Sequence, residues 1–199
     1  MKELIKLVFV MTLVSLISGV LLAVTHVYTQ EPIRQTEQRQ LFDTLRQVLP
    51  PGEGDPVPLV FTNAAGQVTT FYVTRRNGAL AGVAFACVSA HGYGGPVEAL
   101  LGLDATGTLR GLEIVRMNET PGLGSKIGAP AFRAQFTGKP LEGSVWKVRK
   151  DGGPIDAIAG ATISSRALCD AVSQGLARYQ EYKSAIAAAA AAAPARETP

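Results

Sequence analysis

Cysteine and histidine are scarce in this chain, with two of each among 199 residues. So few thiols exclude a fold held by several disulfide bonds, and we expect no metal site. Charge is also low: 19 basic and 16 acidic residues leave a net charge of +3, with no basic block. That surplus does not indicate a nucleic-acid-binding protein. The share of glycine and proline is ordinary, so the chain is neither fibrous nor disordered, and its length fits one domain with an appendage.

The first apolar stretch is long enough to cross a membrane. Residues 7–25 carry no charged side chain, and a helix of that length, at ~1.5 Å per residue, approaches the ~30 Å hydrocarbon core of a bilayer. A cleaved signal peptide has a shorter apolar region, of about 7–15 residues, and ends in a small-x-small site, which Ala23-Val24-Thr25 matches poorly. We therefore predict a retained transmembrane helix at residues 7–28 rather than a signal peptide.

The distribution of basic residues predicts how this helix is oriented. Lys2 and Lys6 precede it, whereas the next Lys or Arg along the chain is Arg34. Cytoplasmic flanks of membrane helices carry an excess of Lys and Arg. Residues 1–6 are therefore expected in the cytoplasm, and everything after Tyr28 is expected on the outer side.

Residues 29–58 are predicted to form a membrane-proximal helix and a linker. Across 32–49 the apolar residues fall largely on one helical stripe, and the leading proline suits a first helical turn. Prolines, glycines and acidic residues at 50–56 then interrupt regular structure. We expect the folded domain at 59–183. The alanine-rich tail at 184–199 can extend the last helix, because alanine favours helix.

Within the domain, short apolar runs separated by turn residues predict an antiparallel sheet. The Asn77-Gly78 pair between two such runs is a strong signal for a β-hairpin. Helical patterns follow the strands, so the fold class is α+β, with an antiparallel sheet and flanking helices. The predicted strands are 69–75, 79–88, 97–104, 109–117 and 144–149, and the predicted helices are 130–136 and 164–179.

Small residues crowd the segment before the last predicted helix, and one hydroxyl group stands among them. Thr162 lies at or one turn before the helix start, where backbone N–H groups lack intrahelical partners and the helix dipole is positive. A phosphate group would be stabilised there, and Gly160 and Ala161 would let it approach the backbone closely. On these residues alone, an ordinary N-cap worth ~1 kcal/mol is the alternative role of the hydroxyl.

The same segment resembles the flavinylation motif of FMN-binding domains in bacterial membrane redox complexes. The run Asp156-x-x-Ala159-Gly160-Ala161-Thr162 is similar to the family pattern Asp-x-x-(Ser/Thr)-Gly-Ala-(Thr/Ser) and departs from it at Ala159. The resemblance implies that Thr162 carries FMN through a phosphoester bond. It also implies that Asp156 helps a separate flavin transferase, which uses FAD as its donor, to recognise the motif.

Two further motifs extend the resemblance to the RnfG family, the G subunits of Rnf electron-transport complexes. Residues 118–127 resemble its Glu-Thr-Pro-Gly-Leu-Gly signature and 92–97 its Gly-Tyr-x-Gly turn, in the family's order behind one anchor. The signature loop is either a plain turn or a cradle for the flavin, and Tyr93 either packs on the ring or fills the core. Within that loop, Glu119 and Lys126 have the alternative of fixing the loop or being solvated. The residues that the resemblance assigns to FMN binding are Tyr93, Glu119, Thr120, Gly122, Leu123, Gly124, Gly160, Ala161, Thr162 and Ser164.

The resemblance implies an electron-transfer subunit of an ion-translocating ferredoxin:NAD+ oxidoreductase in the bacterial inner membrane. FMN would do the redox chemistry, with no side chain acting as an acid, base or nucleophile toward a substrate. The implied partners are the other membrane subunits, the flavin transferase during maturation and membrane lipid. Three alternatives stay open: a component like the C subunit of the Na+-translocating NADH:quinone oxidoreductase, a membrane-bound FMN-binding sensor, and a structural anchor in which Thr162 is a cap.

The two cysteines fall in different predicted elements, Cys87 in a strand and Cys169 in the last helix. An exported location permits a disulfide bond. Both residues nevertheless lie in apolar sequence, where a free cysteine behaves as a small hydrophobic residue. We therefore expect two free thiols.

Overall fold

The computed structural model describes residues 1–62 and 66–192, and the chain divides into two compact units. The first unit, Met1–Leu41, is helical from Lys2 onward and belongs to helix α1 (Lys2–Val48). Among the described residues one stretch, Lys2–Gln30, is long and apolar enough to cross a membrane, with a mean hydropathy of 2.7 and 0% of its apolar window buried. This exposed apolar helix suggests that the chain is anchored in a membrane.

Helix α1 is continuous where the sequence analysis predicts two helices. The ranges 7–28 and 32–48 lie in the single helix Lys2–Val48. The residues predicted for the membrane-proximal helix are thus helical as far as Val48, and they belong to the same helix as the predicted transmembrane range. A proline inside a helix removes one backbone hydrogen bond but need not end the helix, so Pro32 is a misleading start signal.

The second unit, from Phe42 onward, contains a five-stranded antiparallel sheet. Each strand pairs with the next along the chain, so the sheet is a meander. The strands predicted between residues 69 and 117 are confirmed to within one residue at each end. The strands are β1 (Val57–Thr62), β2 (Val68–Arg76), β3 (Ala79–Ser89), β4 (Val97–Asp104) and β5 (Leu109–Arg116).

Strand β1 was not anticipated from the sequence, because its signal is weak. It is short, contains Pro58 and follows the breaker cluster at 50–56. In the named sheet β1 is an edge strand that pairs with β2, and an edge strand tolerates proline because its outer N–H needs no ladder partner. The register places Leu59 opposite Phe71, and both pack in the core.

Two helices follow the sheet along the chain. Helix α2 (Pro130–Arg133) covers the first part of the predicted range 130–136, and the rest of that range is turn. Helix α3 (Thr162–Ala192) begins just before the predicted range 164–179 and continues through the alanine-rich segment. The predicted extension of the last helix is confirmed as far as Ala192, and residues 193–199 lie outside the described part of the chain.

The strand predicted at 144–149 is wrong. These residues are irregular apart from one isolated bridge, between Val148 and Ile155, and the start of a short 3₁₀ turn. Trp146 and Val148 are nevertheless buried, and Lys147 between them is exposed. The alternating pattern thus reports which side chains face the core, and it does not require a ladder of backbone hydrogen bonds.

Helix α3 packs across strands β2, β3 and β4 and covers one face of the sheet. Its Leu168, Val172 and Leu176, spaced by four residues, are buried in the core. Burial of each such side chain contributes about 1.5–3 kcal/mol of transfer free energy. Ile186 is fully buried in the same core, so the packed part of α3 continues past residue 183.

The last turn of α1, which belongs to the second unit, contacts the sheet at two glycines. A Cβ on Gly102 would lie 2.1 Å from the carbonyl oxygen of Val48, and a Cβ on Gly111 would lie 2.6 Å from the Cα of Val48. No real side chain tolerates such distances. The two glycines therefore permit the close approach of this helix end to β4 and β5.

The two cysteines are both buried and unpaired, which confirms the expectation of free thiols. Burial raises the pKa of Cys87 and of Cys169 to about 12. Both thiols are therefore protonated at neutral pH, and neither is a candidate nucleophile.

Candidate functional site

Thr162 is the first residue of α3, at the end of the small-residue segment. The first backbone hydrogen bond of the helix runs from Ser165 N–H to the carbonyl of Ala161 at 3.0 Å. The N–H groups of Thr162, Ile163 and Ser164 therefore precede the first intrahelical bond and lie at the positive end of the helix dipole. This position confirms that the Thr162 hydroxyl stands at the start of the last helix.

A neighbouring hydroxyl, that of Ser165, satisfies the local backbone. Ser165 Oγ donates to the carbonyl of Ala161 at 3.0 Å and accepts from the N–H of Ile158 at 3.0 Å, and its side chain is fully buried. These bonds fix the turn that leads into α3. The sequence analysis missed this role, although a serine three residues after a helix start is a recognisable local signal.

The Thr162 side chain is half-buried and makes no hydrogen bond with any residue that the structure describes. A capping threonine would accept a hydrogen bond from an N–H of the first turn. Thr162 makes no such bond, so the structure contradicts the interpretation of this residue as an ordinary cap. Its hydroxyl oxygen is left without an internal role.

The Glu-Thr-Pro-Gly-Leu-Gly loop lies against this segment. A Cβ on Gly160, whose φ is +78°, would lie 3.5 Å from Leu123 Cδ2. Within the loop, the N–H groups of Leu123 and Ser125 donate to the carbonyl of Thr120, each at 3.2 Å, and the N–H of Gly122 donates to Ser125 Oγ at 3.0 Å. The loop is therefore ordered, and it holds Leu123, which is 46% exposed, beside Gly160.

Glu119 joins this loop both to the Gly-Tyr turn and to α3. Its Oε1 accepts a hydrogen bond from the N–H of Tyr93 at 2.8 Å, and its Oε2 accepts one from Ser164 Oγ at 2.8 Å. The Ser164 side chain is 1% exposed. One carboxylate thus joins the Gly-Tyr turn and the signature loop to α3, two residues after Thr162, a partnership that spacing along the chain could not show.

The Gly-Tyr turn presents its aromatic ring at the surface. Asn118 Nδ2 donates to the carbonyl of Gly94 at 3.0 Å, and a Cβ on Gly94 would lie 1.6 Å from the carbonyl oxygen of Asn118. The turn therefore packs directly on the backbone of the signature loop. Tyr93 is 71% exposed, so the alternative in which its ring fills the core is wrong.

A second polar cluster ties the start of this turn to α3. Asp170 Oδ2 accepts hydrogen bonds from Ser89 Oγ and Gln174 Nε2, each at 2.8 Å, and lies 3.1 Å from His91 Nδ1. Burial by itself would raise the pKa of Asp170, but the hydrogen bonds with these three groups outweigh burial and lower that pKa. The fold therefore stabilises the ionised carboxylate.

Asp156, at the start of the flavinylation motif, is fixed by its neighbours while its side chain stays accessible. Its N–H donates to Gln135 Oε1 at 2.7 Å, and its carboxylate pairs with Arg149 at 2.5 Å. The Asp156 side chain is 62% exposed. The motif is thus held in one conformation with a carboxylate on the surface.

The residues around Thr162 fit an FMN phosphoester. The free hydroxyl would supply an attachment oxygen, and the N–H groups that precede the first helical bond could stabilise a phosphate. Two exposed apolar side chains belong to the same region: Leu123, beside Gly160, and Ile163, which follows Thr162 in the chain and is 48% exposed. Ile163 is not among the site residues predicted from the sequence. Among the described residues, no group of three or more His, Cys, Asp or Glu side chains could hold a metal ion.

A surface groove lies away from this site. It has a volume of about 580 Å³ and is lined by residues of the segment that was wrongly predicted as a strand and of the following turn, and Thr162 is not among them. We place the candidate site at Thr162 because its hydroxyl stands at a helix start beside the signature loop, whereas none of the residues that line the groove belongs to the three motifs. The lining residues are Lys139, Gly143, Ser144, Val145, Gly152, Gly153 and Pro154.

Comparisons with known proteins bear on this site. A family model of the FMN-binding domain matches residues 92–177, a range that starts at the Gly-Tyr turn and includes Thr162. The G subunit of the ion-translocating oxidoreductase complex of Vibrio vulnificus is 38% identical over 164 residues, which cover 76% of this chain and 78% of that protein. The G subunit of the same complex in Cereibacter sphaeroides is 35% identical over 185 residues, covering 88% of this chain and 84% of the relative.

Two solved structures resemble the fold. The C subunit of the Na+-translocating NADH-quinone reductase from Parabacteroides distasonis superposes with a TM-score of 0.50 and 25% identity, over 60% of this chain and 64% of that one. The NqrC protein of Shewanella oneidensis superposes with a TM-score of 0.51 and 18% identity, over 65% of this chain and 69% of that one. The second likeness concerns the fold alone.

Proposed function

The chain belongs to the family of G subunits of ion-translocating oxidoreductase complexes, and on that premise we propose that it relays electrons through an FMN esterified to Thr162. The chain is a component of a redox complex, with an FMN-binding domain and an N-terminal apolar helix that suggests a membrane anchor. The finer proposal is that the complex is of the Rnf type, which exchanges electrons between ferredoxin and NAD+ and moves an ion across the bacterial inner membrane.

One observation carries the proposal of covalent attachment. The Thr162 hydroxyl stands at the N-terminus of a long helix and has no hydrogen-bond partner among the described residues. The Thr162 oxygen is not among the described side-chain atoms that are both buried and unpartnered, so it is accessible to an incoming group. Esterification to a phosphate would bring an anion to the positive end of the helix dipole.

Attachment would use FAD as the donor and a separate transferase as the catalyst. The Thr162 oxygen attacks the phosphorus on the FMN side of the pyrophosphate, the bond from that phosphorus to the bridging oxygen breaks, and AMP leaves. The hydroxyl proton must go to a base. No described residue of this chain is hydrogen-bonded to the hydroxyl, so the base would belong to the transferase. The exposed Asp156 carboxylate would be one of the features that the transferase recognises.

Bound FMN would supply the electron-transfer chemistry, and this chain would hold and orient it. Thr162 fixes the phosphate, and Gly160 and Ala161 leave room for it. The exposed side chains of Leu123 and Tyr93 offer apolar surface to a flavin ring. The backbone of the signature loop, from Thr120 to Gly124, would set the position of Leu123.

The proposed location is the bacterial inner membrane, with residues 1–6 in the cytoplasm and the FMN-binding domain on the outer side. The single apolar helix and the lysines before it support this orientation. The proposed partners are the other membrane subunits of the complex, lipid around α1 and the transferase during maturation. A covalent bond would keep the flavin in a compartment where a dissociated cofactor would be lost.

The attachment can be tested on denaturing gels, where a flavin held by a covalent bond stays fluorescent with its chain. The full chain is produced with a flavin transferase, and the wild type is compared with Thr162→Ala, Thr162→Ser and Thr137→Ala. Thr137 is a matched control, because its hydroxyl donates to the carbonyl of Ala134 in a turn after α2. We expect fluorescence from all but Thr162→Ala. A dark wild-type band, or a fluorescent Thr162→Ala band, contradicts the proposal.

A second candidate is a component like the C subunit of a Na+-translocating NADH:quinone oxidoreductase. The likeness to the solved C subunit from Parabacteroides distasonis favours it, whereas the relatives with greater coverage favour the G subunit of an ion-translocating oxidoreductase complex. The two differ in the proteins with which the chain assembles. Isolation of the intact membrane complex, followed by identification of its components and by assays with ferredoxin and with quinone, distinguishes them.

A further inference from the structure

We infer that Glu119 is a positioning residue: its carboxylate fastens the Gly-Tyr turn and the signature loop to the first turn of α3, and it does not itself bind the cofactor. The inference rests on the proposed function, because it states how the FMN site around Thr162 is held in shape. It changes the role that the family resemblance assigns to Glu119 and to Ser164, from contact with FMN to support of the residues that make that contact.

The two oxygens of Glu119 bind groups on different elements. Oε1 accepts from the N–H of Tyr93 and Oε2 accepts from the Ser164 hydroxyl, each at 2.8 Å. These partners lie 26 and 45 residues away along the chain. Hydrogen bonds to a charged group are stronger than those between neutral groups. The Glu119 side chain thus joins the Gly-Tyr turn, the signature loop and the first turn of α3.

Two glycines lie against the carboxylate and enclose it. A Cβ on Gly92 would lie 2.8 Å from Glu119 Oε1. A Cβ on Gly124 would lie 2.3 Å from Glu119 Oε2 and 2.7 Å from Ser164 Oγ. Both glycines occur in the sequence motifs. A side chain at either position would collide with the Glu119 carboxylate, which explains why glycine stands there.

The chemistry of the groups argues against a direct contact with the FMN phosphate, and both oxygens of Glu119 already accept hydrogen bonds from protein donors. An ionised carboxylate only accepts hydrogen bonds, so it has no donor for the oxygens of a phosphate. Two negative groups facing each other would also repel. The Ser164 hydroxyl, on a side chain that is 1% exposed, already donates to Glu119, so it is not directed to a surface ligand.

The first test measures backbone hydrogen exchange in the full chain carrying Thr162→Ala, so that no flavin is attached. Adding Glu119→Ala removes the acceptor of the Tyr93 amide, and exchange at Tyr93 should accelerate roughly 10- to 100-fold, the factor expected from losing a hydrogen bond to a charged group. Glu119→Gln keeps an acceptor for Tyr93 and can donate to Ser164 Oγ, so it should restore most of the protection.

The matched control is Asp104→Ala, which removes a carboxylate that accepts hydrogen bonds from Thr106 and from the N–H of Thr108 in the turn between β4 and β5. This variant should accelerate exchange in its own turn and leave Tyr93 unchanged. Unaltered exchange at Tyr93 in Glu119→Ala, or an equal acceleration there in Asp104→Ala, overturns the inference. Where Glu119→Ala does not fold, Ser164→Ala takes its place: faster exchange at Tyr93 supports the inference, and unchanged exchange overturns it.

The second test uses chains that retain Thr162, incubated with FAD and purified flavin transferase. Glu119→Ala should still be modified at Thr162, but with a lower initial rate, and Glu119→Gln should recover most of the wild-type rate. A wild-type chain that takes up no flavin refutes the proposed function, while the exchange measurements still decide the role of Glu119. Equal rates for all three chains overturn the positioning role.

Discussion

Replacement of Gly124 by alanine should destabilise the folded domain, because the added methyl group has no space. Its Cβ would lie 2.3 Å from Glu119 Oε2 and 2.7 Å from Ser164 Oγ, and Gly124 is buried. Overpacking costs about 1–3 kcal/mol, and loss of the bond between Ser164 and the carboxylate costs about 1.5–3 kcal/mol. Since partial relaxation offsets some of each cost, we expect a loss of roughly 2–5 kcal/mol in the free energy of unfolding.

Gly122→Ala in the same loop provides the matched control. Gly122 has a φ of +76° but nothing within 4 Å of the position of an added Cβ. Its replacement therefore introduces only backbone strain, about 1–2 kcal/mol. Urea unfolding of both variants can be followed by the fluorescence of Trp146, the single tryptophan, which is buried and stacked on Phe136. A smaller loss for Gly124→Ala than for Gly122→Ala would refute the proposed packing around Glu119.

Three further predictions concern a serine, the two cysteines and an aspartate outside the proposed flavin contacts. Ser165→Ala should lower the free energy of unfolding by about 1–3 kcal/mol, because it leaves the N–H of Ile158 without its partner, and urea titration measures this loss. Cys87 and Cys169 should resist alkylation at pH 8 in the native chain and react after unfolding, since burial raises both pKa values to about 12; rapid native labelling would contradict this. Asp170→Asn should lower the melting temperature at pH 7 but not at low pH. Because the pKa of Asp170 is lowered in the folded chain, its ionised carboxylate stabilises the fold above the unfolded-state pKa, and this stabilisation is lost as the pH falls through the folded-state pKa. An equal drop in melting temperature at both pH values would show that the ionised carboxylate is not the source of the stability.

The regular elements were largely accessible from the sequence, because apolar periodicity and turn residues are local signals. Strands β2 to β5 are short, largely apolar runs between glycine-containing turns, and the structure reproduces their predicted bounds to within one residue. Strand β1 and the irregular segment at 144–149 show the limit of that approach. In each, the tertiary environment decides whether a short alternating run pairs with a neighbour.

The three motifs of the candidate site could be predicted from the sequence, but the contacts that join them could not. Position in the chain identified Thr162 as a hydroxyl at a helix start, and α3 begins there. Nothing local indicates that Glu119 binds the N–H of Tyr93 and the hydroxyl of Ser164, because these bonds span 26 and 45 residues. The exposure of Tyr93 likewise depends on the packing of the turn against Asn118.

The proposed flavin would give a role to outward-facing apolar residues of the three motifs and of the start of α3. Leu123 and Ile163 are each close to half exposed, and Tyr93 more so. Isolated exposed apolar residues are common, whereas a contiguous exposed apolar patch is typical of a binding surface. Truncation of Leu123 to alanine should therefore change the fluorescence of an attached flavin more than it changes the unfolding midpoint of the chain.

A flavin phosphoester on Thr162 can be detected by peptide mass spectrometry of the chain isolated from membranes that contain an active flavin transferase. We expect the peptide spanning residues 150–166 to carry the mass of one esterified FMN, with fragment ions that localise it to Thr162. An unmodified peptide, or a flavin localised to Ser164 or Ser165, would contradict this proposal.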